Sequence, residues 1–219
     1  MVYLAESTLE KAVKQVKAGD KRNFLESVEV AFNLKDLDLS DPKNRLNEEI
    51  VLPSGRGKPV KVGVFGSEEM KQKAKAAADA IYGPEDLAKF AEDKKAFKKI
   101  ANQMEFFIAE STLMATIGRT LGQVLGPRGK IPRPAPPGQD PTTLIGNLKK
   151  TVRARSRDRR TFHVPIGTRE MKDQELIDNF NAVFKRLTGK LEKGRGNIES
   201  IYLKTTMGKA VKLEVGELE

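Results

Sequence analysis

The sequence predicts a mixed α/β fold, and three observations indicate it. Strands that alternate apolar and polar residues lie near both ends of the chain, at Val28–Leu34 and Ser200–Lys204. In the middle, from about Val60, short apolar strands alternate with helices, which is typical of a small parallel sheet covered on both faces. Between these patterns lies a basic segment rich in glycine and proline, Pro53–Pro59, which indicates a hinge or linker.

The end regions also contain two predicted helices and two further strands. The first helix spans about Ser7–Lys17, and the clearest one spans Lys172–Leu187, where apolar residues recur at helical spacing. Further strands are predicted at Glu49–Leu52 and Val211–Val215. In the second helix the apolar residues form one broad stripe, which we expect to be buried: Leu176, Ile177, Phe180, Val183, Phe184 and Leu187.

The middle region is predicted to alternate regularly between strands and helices. Strands are expected at Val60–Gly66, Ile81–Tyr82 and Phe106–Ala109, and a closing helix is expected from about residue 140 to residue 150. Ser67 and Asp93 stand where they could cap two of the intervening helices.

The segment Leu125–Gly138 is the densest in glycine and proline, so it cannot form a helix or a central strand. Its Lys130 is followed by Ile131, where a phosphate-binding loop of the Walker type requires Ser or Thr. Lys58 is likewise followed by Pro59. The basic loop therefore fits either a contact with phosphate or a structural cover over the sheet.

Arginines alternate along Thr151–Arg157, which predicts a strand with Arg153, Arg155 and Arg157 on one face. A turn follows, and Thr161–Pro165 then completes a predicted hairpin. The arginine face fits a track for phosphate groups or, equally, a solvated edge that charge protects from pairing.

The charge of the chain indicates a polyanionic partner, most often a nucleic acid. It has 40 Lys and Arg against 30 Asp and Glu, a net charge of +10. With no Cys and one His, neither a disulfide nor a metal site is expected, and no cofactor is predicted. No apolar run could span a bilayer and the N-terminus lacks signal-peptide features, so we expect a cytoplasmic protein without a membrane partner.

The segment Ser200–Gly208 begins as a strand and ends in two hydroxyls, an apolar side chain and a glycine. Small hydroxyls and bare backbone let ribose and phosphate groups approach closely. A strand that runs into an ordinary turn would look the same. Phe24, beside two cations at the start of the first strand, could likewise support a base or close the end of the core.

Taken together, these segments resemble the family of large-subunit ribosomal protein L-one, in its archaeal branch. The matching segments, in chain order, are Arg22–Val30, Leu52–Lys58, Ile117–Lys130, Val164–Gly167 and Ser200–Gly208, and they are spread over nearly the whole chain. The last segment, together with Leu125–Lys130, is highly specific.

The resemblance implies two domains. The first is a discontinuous split βαβ domain made of both chain ends, residues 1–58 and 152–219, and it would bind RNA. The second is an inserted three-layer α/β domain of Rossmann-like type, residues 59–151. The two joints would act as a hinge at Gly57, Lys58, Thr151 and Val152.

The resemblance also implies a function without catalysis. The family binds large-subunit rRNA to form a mobile stalk near the tRNA exit site, assists release of deacylated tRNA and represses translation of its own mRNA. The expected partners are therefore that rRNA, exit-site tRNA and the chain's own mRNA. Off the ribosome, the protein is expected to be a monomer. The implied RNA-binding residues are Phe24, Ser27, Ser200, Lys204, Thr205, Thr206, Met207 and Gly208, with Arg22, Arg153 and Arg155 as further candidates.

Two other interpretations compete with this one. The first is an α/β enzyme that binds a nucleotide or a phosphosugar in its middle region, although both glycine loops fail their motif tests. The second is a basic scaffold that binds RNA without specificity. Selective retention of one RNA would exclude the scaffold, and a bound nucleotide would favour the enzyme.

Overall fold

A computed structural model describes residues 6–20 and 22–213. The described residues divide into two compact units, one that falls within residues 1–58 and 150–219 and the other within residues 59–149. Both contain helices and sheets, so the predicted mixed α/β class is confirmed. Lys150 and Thr151, which we predicted in the inserted domain, group with the first unit.

Helices and strands alternate along the chain, most regularly in the second unit. The described helices of four or more α-helical residues are α1 (Glu6–Lys17), α2 (Glu68–Ala74), α3 (Pro84–Glu92), α4 (Lys94–Gln103), α5 (Met114–Leu125), α6 (Thr142–Lys149) and α7 (Asp173–Thr188). The described strands are β1 (Ser27–Leu34), β2 (Asn47–Val51), β3 (Val62–Phe65), β4 (Ala80–Tyr82), β5 (Phe106–Glu110), β6 (Arg133–Ala135), β7 (Thr151–Arg155), β8 (Thr161–Thr168), β9 (Ile198–Thr205) and β10 (Val211–Leu213).

The main sheet of the first unit has the strand order β10-β9-β1-β8, with antiparallel neighbours throughout. Because β8 and β9 are both antiparallel to β1, they are parallel to each other, and α7 connects them. This is a split βαβ arrangement, in which β1 from the other end of the chain fills the gap between the two parallel strands.

The core of the first unit lies between this sheet and the helices α1 and α7. The predicted core face of β1 is confirmed, since Val28, Val30 and Phe32 are at most 1% exposed, although Ala31 on the opposite face is buried as well. Phe32 stacks on Phe162 of β8 with ring centroids 5.5 Å apart. The whole apolar stripe of α7 is buried as predicted, and each such side chain contributes roughly 1.5–3 kcal/mol through the hydrophobic effect.

The second unit is built on a parallel sheet with the order β4-β3-β5-β6. Apolar clusters cover both faces: α3, α4 and α5 pack on one, and α2 and α6 pack on the other. The three-layer arrangement is therefore present. Strand β6 lies inside the proline-rich segment that we predicted as loop; its Pro134 is tolerated because β6 is an edge strand.

The predicted hairpin after residue 151 is wrong. Strand β7 pairs with β2, with Thr151 opposite Val51 and Arg155 opposite Asn47, whereas β8 pairs with β1. Alternation identifies a strand but not its partner. Arg157 lies beyond the end of β7 with φ +52°, so it does not share a strand face with Arg153. The last predicted strand is described to Leu213, and residues 214 and 215 lie outside the described residues.

The four predicted hinge residues all lie within the first unit. Gly57 has φ +68°, and a Cβ there would lie 2.6 Å from Thr168 Oγ1 and 2.7 Å from Met171 Sδ, so only glycine fits. Thr151 and Val152 are paired with β2, which fixes their backbone. The chain passes between the units at Lys58–Pro59 and Lys149–Lys150, next to these residues. A hinge role for Gly57, Lys58, Thr151 and Val152 stays a prediction.

Candidate nucleic-acid interface

One end of the main sheet brings together the two segments that we singled out, because β1 begins where β9 ends. Val28 pairs with Thr205, and the backbone N–H of Thr206 donates to the Ser27 carbonyl at 3.1 Å. Lys58 Nζ donates to Ser27 Oγ at 2.7 Å. Two hydroxyl side chains and a cation therefore meet at this sheet end, which offers the groups that bind ribose and phosphate.

Two apolar side chains project from the same sheet end into solvent. Phe24 is 55% exposed and Met207 is 61% exposed, and they are two of the four large exposed hydrophobic residues among the described residues. Exposed apolar side chains next to hydrogen-bonding groups can be covered when another molecule binds. Gly208 closes the turn after β9, with its N–H donating to the Thr205 carbonyl at 3.0 Å.

The sheet face that points away from the helices is polar. Ser200 and Lys204 lie on it together with Thr206, because residues two apart on a strand share a face. Ser200 is 9% exposed, accepts from Asn33 Nδ2 at 2.7 Å, and lies about 20 Å along the strand from Thr206. Lys204 pairs in register with Glu29, an acidic residue on this face that the sequence analysis did not select.

Thr205 is a correction to the predicted site. It is 4% exposed and belongs to the opposite, core-facing side of β9, between the outward-facing Lys204 and Thr206. The alternation of a strand turns its side chain away from the surface that we predicted for it. Its hydroxyl instead faces the carboxylate of Glu26.

The three additional arginines do not form one track. Arg22 is exposed and lies in the segment before β1, close in sequence to Phe24. Arg153 and Arg155 lie on β7, in the separate two-stranded ladder with β2. Arg153 Nε donates to Glu49 Oε1 at 3.0 Å, so a carboxylate neutralises one of the two charges.

The sequence analysis missed an ion pair beneath the site, in which a buried carboxylate meets a partly buried guanidinium. Glu26 is 4% exposed, and its Oε2 lies 2.5 Å from Nη1 of Arg169. The Arg169 guanidinium lowers the pKa of Glu26 against the opposing effect of burial, with smaller contributions from the Thr205 hydroxyl and the Arg22 backbone. The partners are 143 residues apart, so no local pattern could have indicated the pair.

The chain matches the model of the Ribosomal protein L1p/L10e family over residues 13–209. The chain belongs to this family. It is 68% identical over 208 residues to the large ribosomal subunit protein uL1 of Picrophilus torridus, covering 95% of this chain and 96% of that protein. The predicted resemblance to the archaeal branch of the L1 family is therefore confirmed.

Other archaeal proteins of the L1 family give similar coverage. The chain is 63% identical to the large ribosomal subunit protein uL1 of Thermoplasma volcanium, covering 95% of this chain and 97% of that protein. It is 44% identical to the uL1 protein of Haloferax volcanii, covering 96% and 99%. Membership of a ribosomal protein family decides against the enzyme interpretation.

In the second unit of this L1 family member, a carboxylate occupies the place where α/β enzymes hold anionic ligands. The strand order reverses between β3 and β5, and ligands of such sheets bind at the carboxyl ends of those strands. There, Oε2 of the buried Glu110 accepts from the Ser67 backbone N–H at 2.9 Å. Hydrogen bonds from the Ser67 backbone and hydroxyl keep the pKa of Glu110 below its usual value, so a negative charge repels phosphate from this point.

The same contacts correct one predicted helix cap and confirm another. Ser67 does stand before α2, but its side chain makes no capping bond to that helix. Asp93 caps α4 as predicted, with Oδ1 accepting from the backbone N–H groups of Lys95 and Ala96, each at 3.0 Å.

The basic proline-rich loop is held to the second unit by its own cations. Lys130 Nζ donates to the carbonyls of Ala101 at 2.9 Å and Met104 at 2.6 Å, at the end of α4. Arg128 Nη1 donates to the Val124 carbonyl at 2.9 Å. These contacts favour the structural cover over the phosphate contact, which the sequence left open.

Within residues 6–20 and 22–213, no group of three His, Cys, Asp or Glu side chains could hold a metal ion. None of the helices in that described part has the length and apolar composition needed to cross a bilayer.

Proposed function

We propose that this chain binds large-subunit rRNA directly, as a structural constituent of the large ribosomal subunit, through the sheet end where β1 begins and β9 ends. Its membership of the L1 family supports this, as does the net charge of +10. The observation that carries the proposal is that Ser27 and Thr206 meet at one sheet end, in segments that also carry the exposed Phe24 and Met207.

The surface suits recognition of RNA shape. Hydroxyls and backbone groups bond to ribose and phosphate, which are present whatever the sequence of the RNA. When RNA covers Phe24 and Met207, water is excluded and the neighbouring hydrogen bonds become stronger. Lysine and arginine side chains add attraction to phosphate, which salt weakens. The proposed RNA-binding domain is the predicted first domain, residues 1–58 and 152–219, which lies within the first unit of the structure.

The deciding experiment measures binding of the intact protein to the rRNA stalk fragment and to a scrambled RNA of equal length, over a salt series. We expect tight binding to the stalk fragment that survives moderate salt, whereas binding to the scrambled RNA should be lost at that salt concentration. Equal affinities that fall together as salt rises would leave only a non-specific basic scaffold.

Two finer roles belong to the same proposal. Bound rRNA would form the mobile stalk near the tRNA exit site and assist release of deacylated tRNA. The same surface would bind a mimic of the rRNA site in the chain's own mRNA and repress its translation. Translation of that message in a cell-free system should fall when the protein is added and recover when the stalk fragment is added as competitor. Repression that the fragment does not relieve would contradict a shared site.

A further inference from the structure

The connection between α1 and β1 is fixed at both ends by one side chain, Arg169. Its guanidinium donates to the Lys17 carbonyl at 2.6 Å, the Asp20 carbonyl at 2.8 Å and also the Gly19 carbonyl, where α1 ends. Lys17 is the last residue of α1, and carbonyls at the end of a helix lack partners within it, so the bond to Lys17 also caps α1.

The other end of the connection is held by the same residue. Arg169 Nη1 donates to Glu26 Oε2 at 2.5 Å, and the backbone N–H of Arg169 donates to the Glu26 carbonyl at 3.0 Å. A buried ion pair is stabilising only when its remaining polar atoms are bonded, and here the guanidinium has several partners. Phe24 stands two residues before Glu26, within the connection whose two ends Arg169 holds.

The carboxylate of Glu26 also contacts the second half of the surface. The hydroxyl of Thr205 faces it, and Thr205 directly precedes Thr206 and Met207. Gly208 packs so closely on Thr205 that a Cβ at position 208 would collide with the Thr205 hydroxyl. Glu26, Thr205, Met207 and Gly208 also line one common cavity of about 490 Å³.

We infer that Arg169, Glu26 and Thr205 are positioning residues, which lie beneath the surface and hold Phe24 and Met207 in the geometry that RNA requires. The inference rests on the proposed RNA-binding function. A surface already held in its bound geometry loses less conformational freedom on binding, so its affinity is higher. Glu26 and Thr205 are buried, so they act through the exposed residues that they orient.

The sharpest test compares Thr205→Val with Thr205→Ser. Valine has nearly the shape of threonine but no hydroxyl, whereas serine keeps the hydroxyl. The first readout is the ε-methyl NMR signal of Met207 in the free protein, assigned with Met207→Leu. The second is the affinity for the rRNA stalk fragment at fixed salt, below the melting temperature of every variant.

We expect Thr205→Val to move the Met207 signal and to weaken RNA binding roughly tenfold, as for loss of one buried hydrogen bond. Thr205→Ser should retain both the signal and the affinity. The inference is overturned if Thr205→Val keeps the wild-type signal, or if it moves the signal and leaves the affinity unchanged. A wild-type protein that does not prefer the stalk fragment would refute the proposed function itself, before any variant is compared.

Arg169 is tested with a double-mutant cycle. Arg169→Met should weaken binding in the wild-type background and have much less effect when Phe24→Ala is already present, because it acts through Phe24. Equal effects in both backgrounds would contradict positioning through Phe24. If Arg169→Met does not fold, the pair of Thr205 variants decides the question.

Discussion

The ends of β9 and β5 show two different uses of the groups that follow a strand. After β9, Thr206 and Met207 are exposed, Met207 to 61%. After β5, Glu110 is buried and bonded to Ser67. A strand end whose polar groups are bonded internally is part of the structure, whereas one that leaves hydroxyls and an apolar side chain exposed is suited to a partner.

The strongest test of this contrast is Met207→Asp. An acidic group in the proposed interface would repel phosphate and lose apolar contact, so we expect about 100-fold weaker binding to the stalk fragment, or about 2.7 kcal/mol. Stability should change by no more than about 0.5 kcal/mol, because the side chain is exposed. Met207→Leu is the matched control and should bind within a few-fold of wild type. A folded Met207→Asp protein with unchanged affinity would remove Met207 from the site.

Glu110→Ala tests the other strand end. It leaves the Ser67 N–H without its acceptor, so we expect the free energy of unfolding of the second unit to fall by about 1–3 kcal/mol. Chemical denaturation followed by circular dichroism measures this, with Glu110→Gln as the control that keeps an acceptor. RNA affinity of the folded variant should equal that of wild type; a clear loss would break the contrast between the two ends.

Lys130→Met tests whether the basic loop is structural. Losing the bonds to the end of α4 should destabilise the protein by about 1 kcal/mol and leave RNA affinity within twofold. Lys95→Met, which removes an exposed lysine from the same unit, should change stability less. A tenfold loss of RNA affinity in Lys130→Met would restore the phosphate-contact interpretation.

The smallest expected effect is a loss of stability at low pH. The pKa of Glu110 is lowered in the folded protein from its ordinary 4.5, chiefly by the Ser67 backbone N–H. The ionised Glu110 carboxylate therefore contributes its full stabilisation above about pH 4.5, and this stabilisation is lost as the pH falls through the pKa of the folded protein. Wild type should lose more stability than Glu110→Gln below pH 4.5 in paired denaturation curves. Because the pKa of Glu26 is lowered too, only the difference between the two proteins tests Glu110.

Elements set by local periodicity could be predicted from the sequence. The stripe of α7 and the alternation of β1 each repeat with the period of their own backbone, and burial follows the pattern. Strand pairing could not be predicted in this way. The partner of β7 is β2, which lies about a hundred residues earlier, while the nearer candidate β8 pairs elsewhere. Three-residue β6 was hidden by its proline.

The family resemblance, rather than any local pattern, implied Phe24, Ser27, Thr206 and Met207 as site residues. The fold brings the segments that carry them together, and their role in binding RNA stays a prediction. Thr205 was assigned with its neighbours, although the strand turns it inward. Arg169 follows β8 in a stretch without a motif, and only the folded chain brings it to Glu26.

The insertion of β1 between β8 and β9 has a consequence for synthesis. A nascent chain emerges from its N-terminus, so residues 59–149 can fold while β1 still lacks both neighbours. The two halves of the sheet end, around Ser27 and Thr206, meet only after some 180 further residues have been made. An incomplete chain therefore lacks the proposed surface, and only a chain made beyond Thr206 could offer both of its halves to a partner.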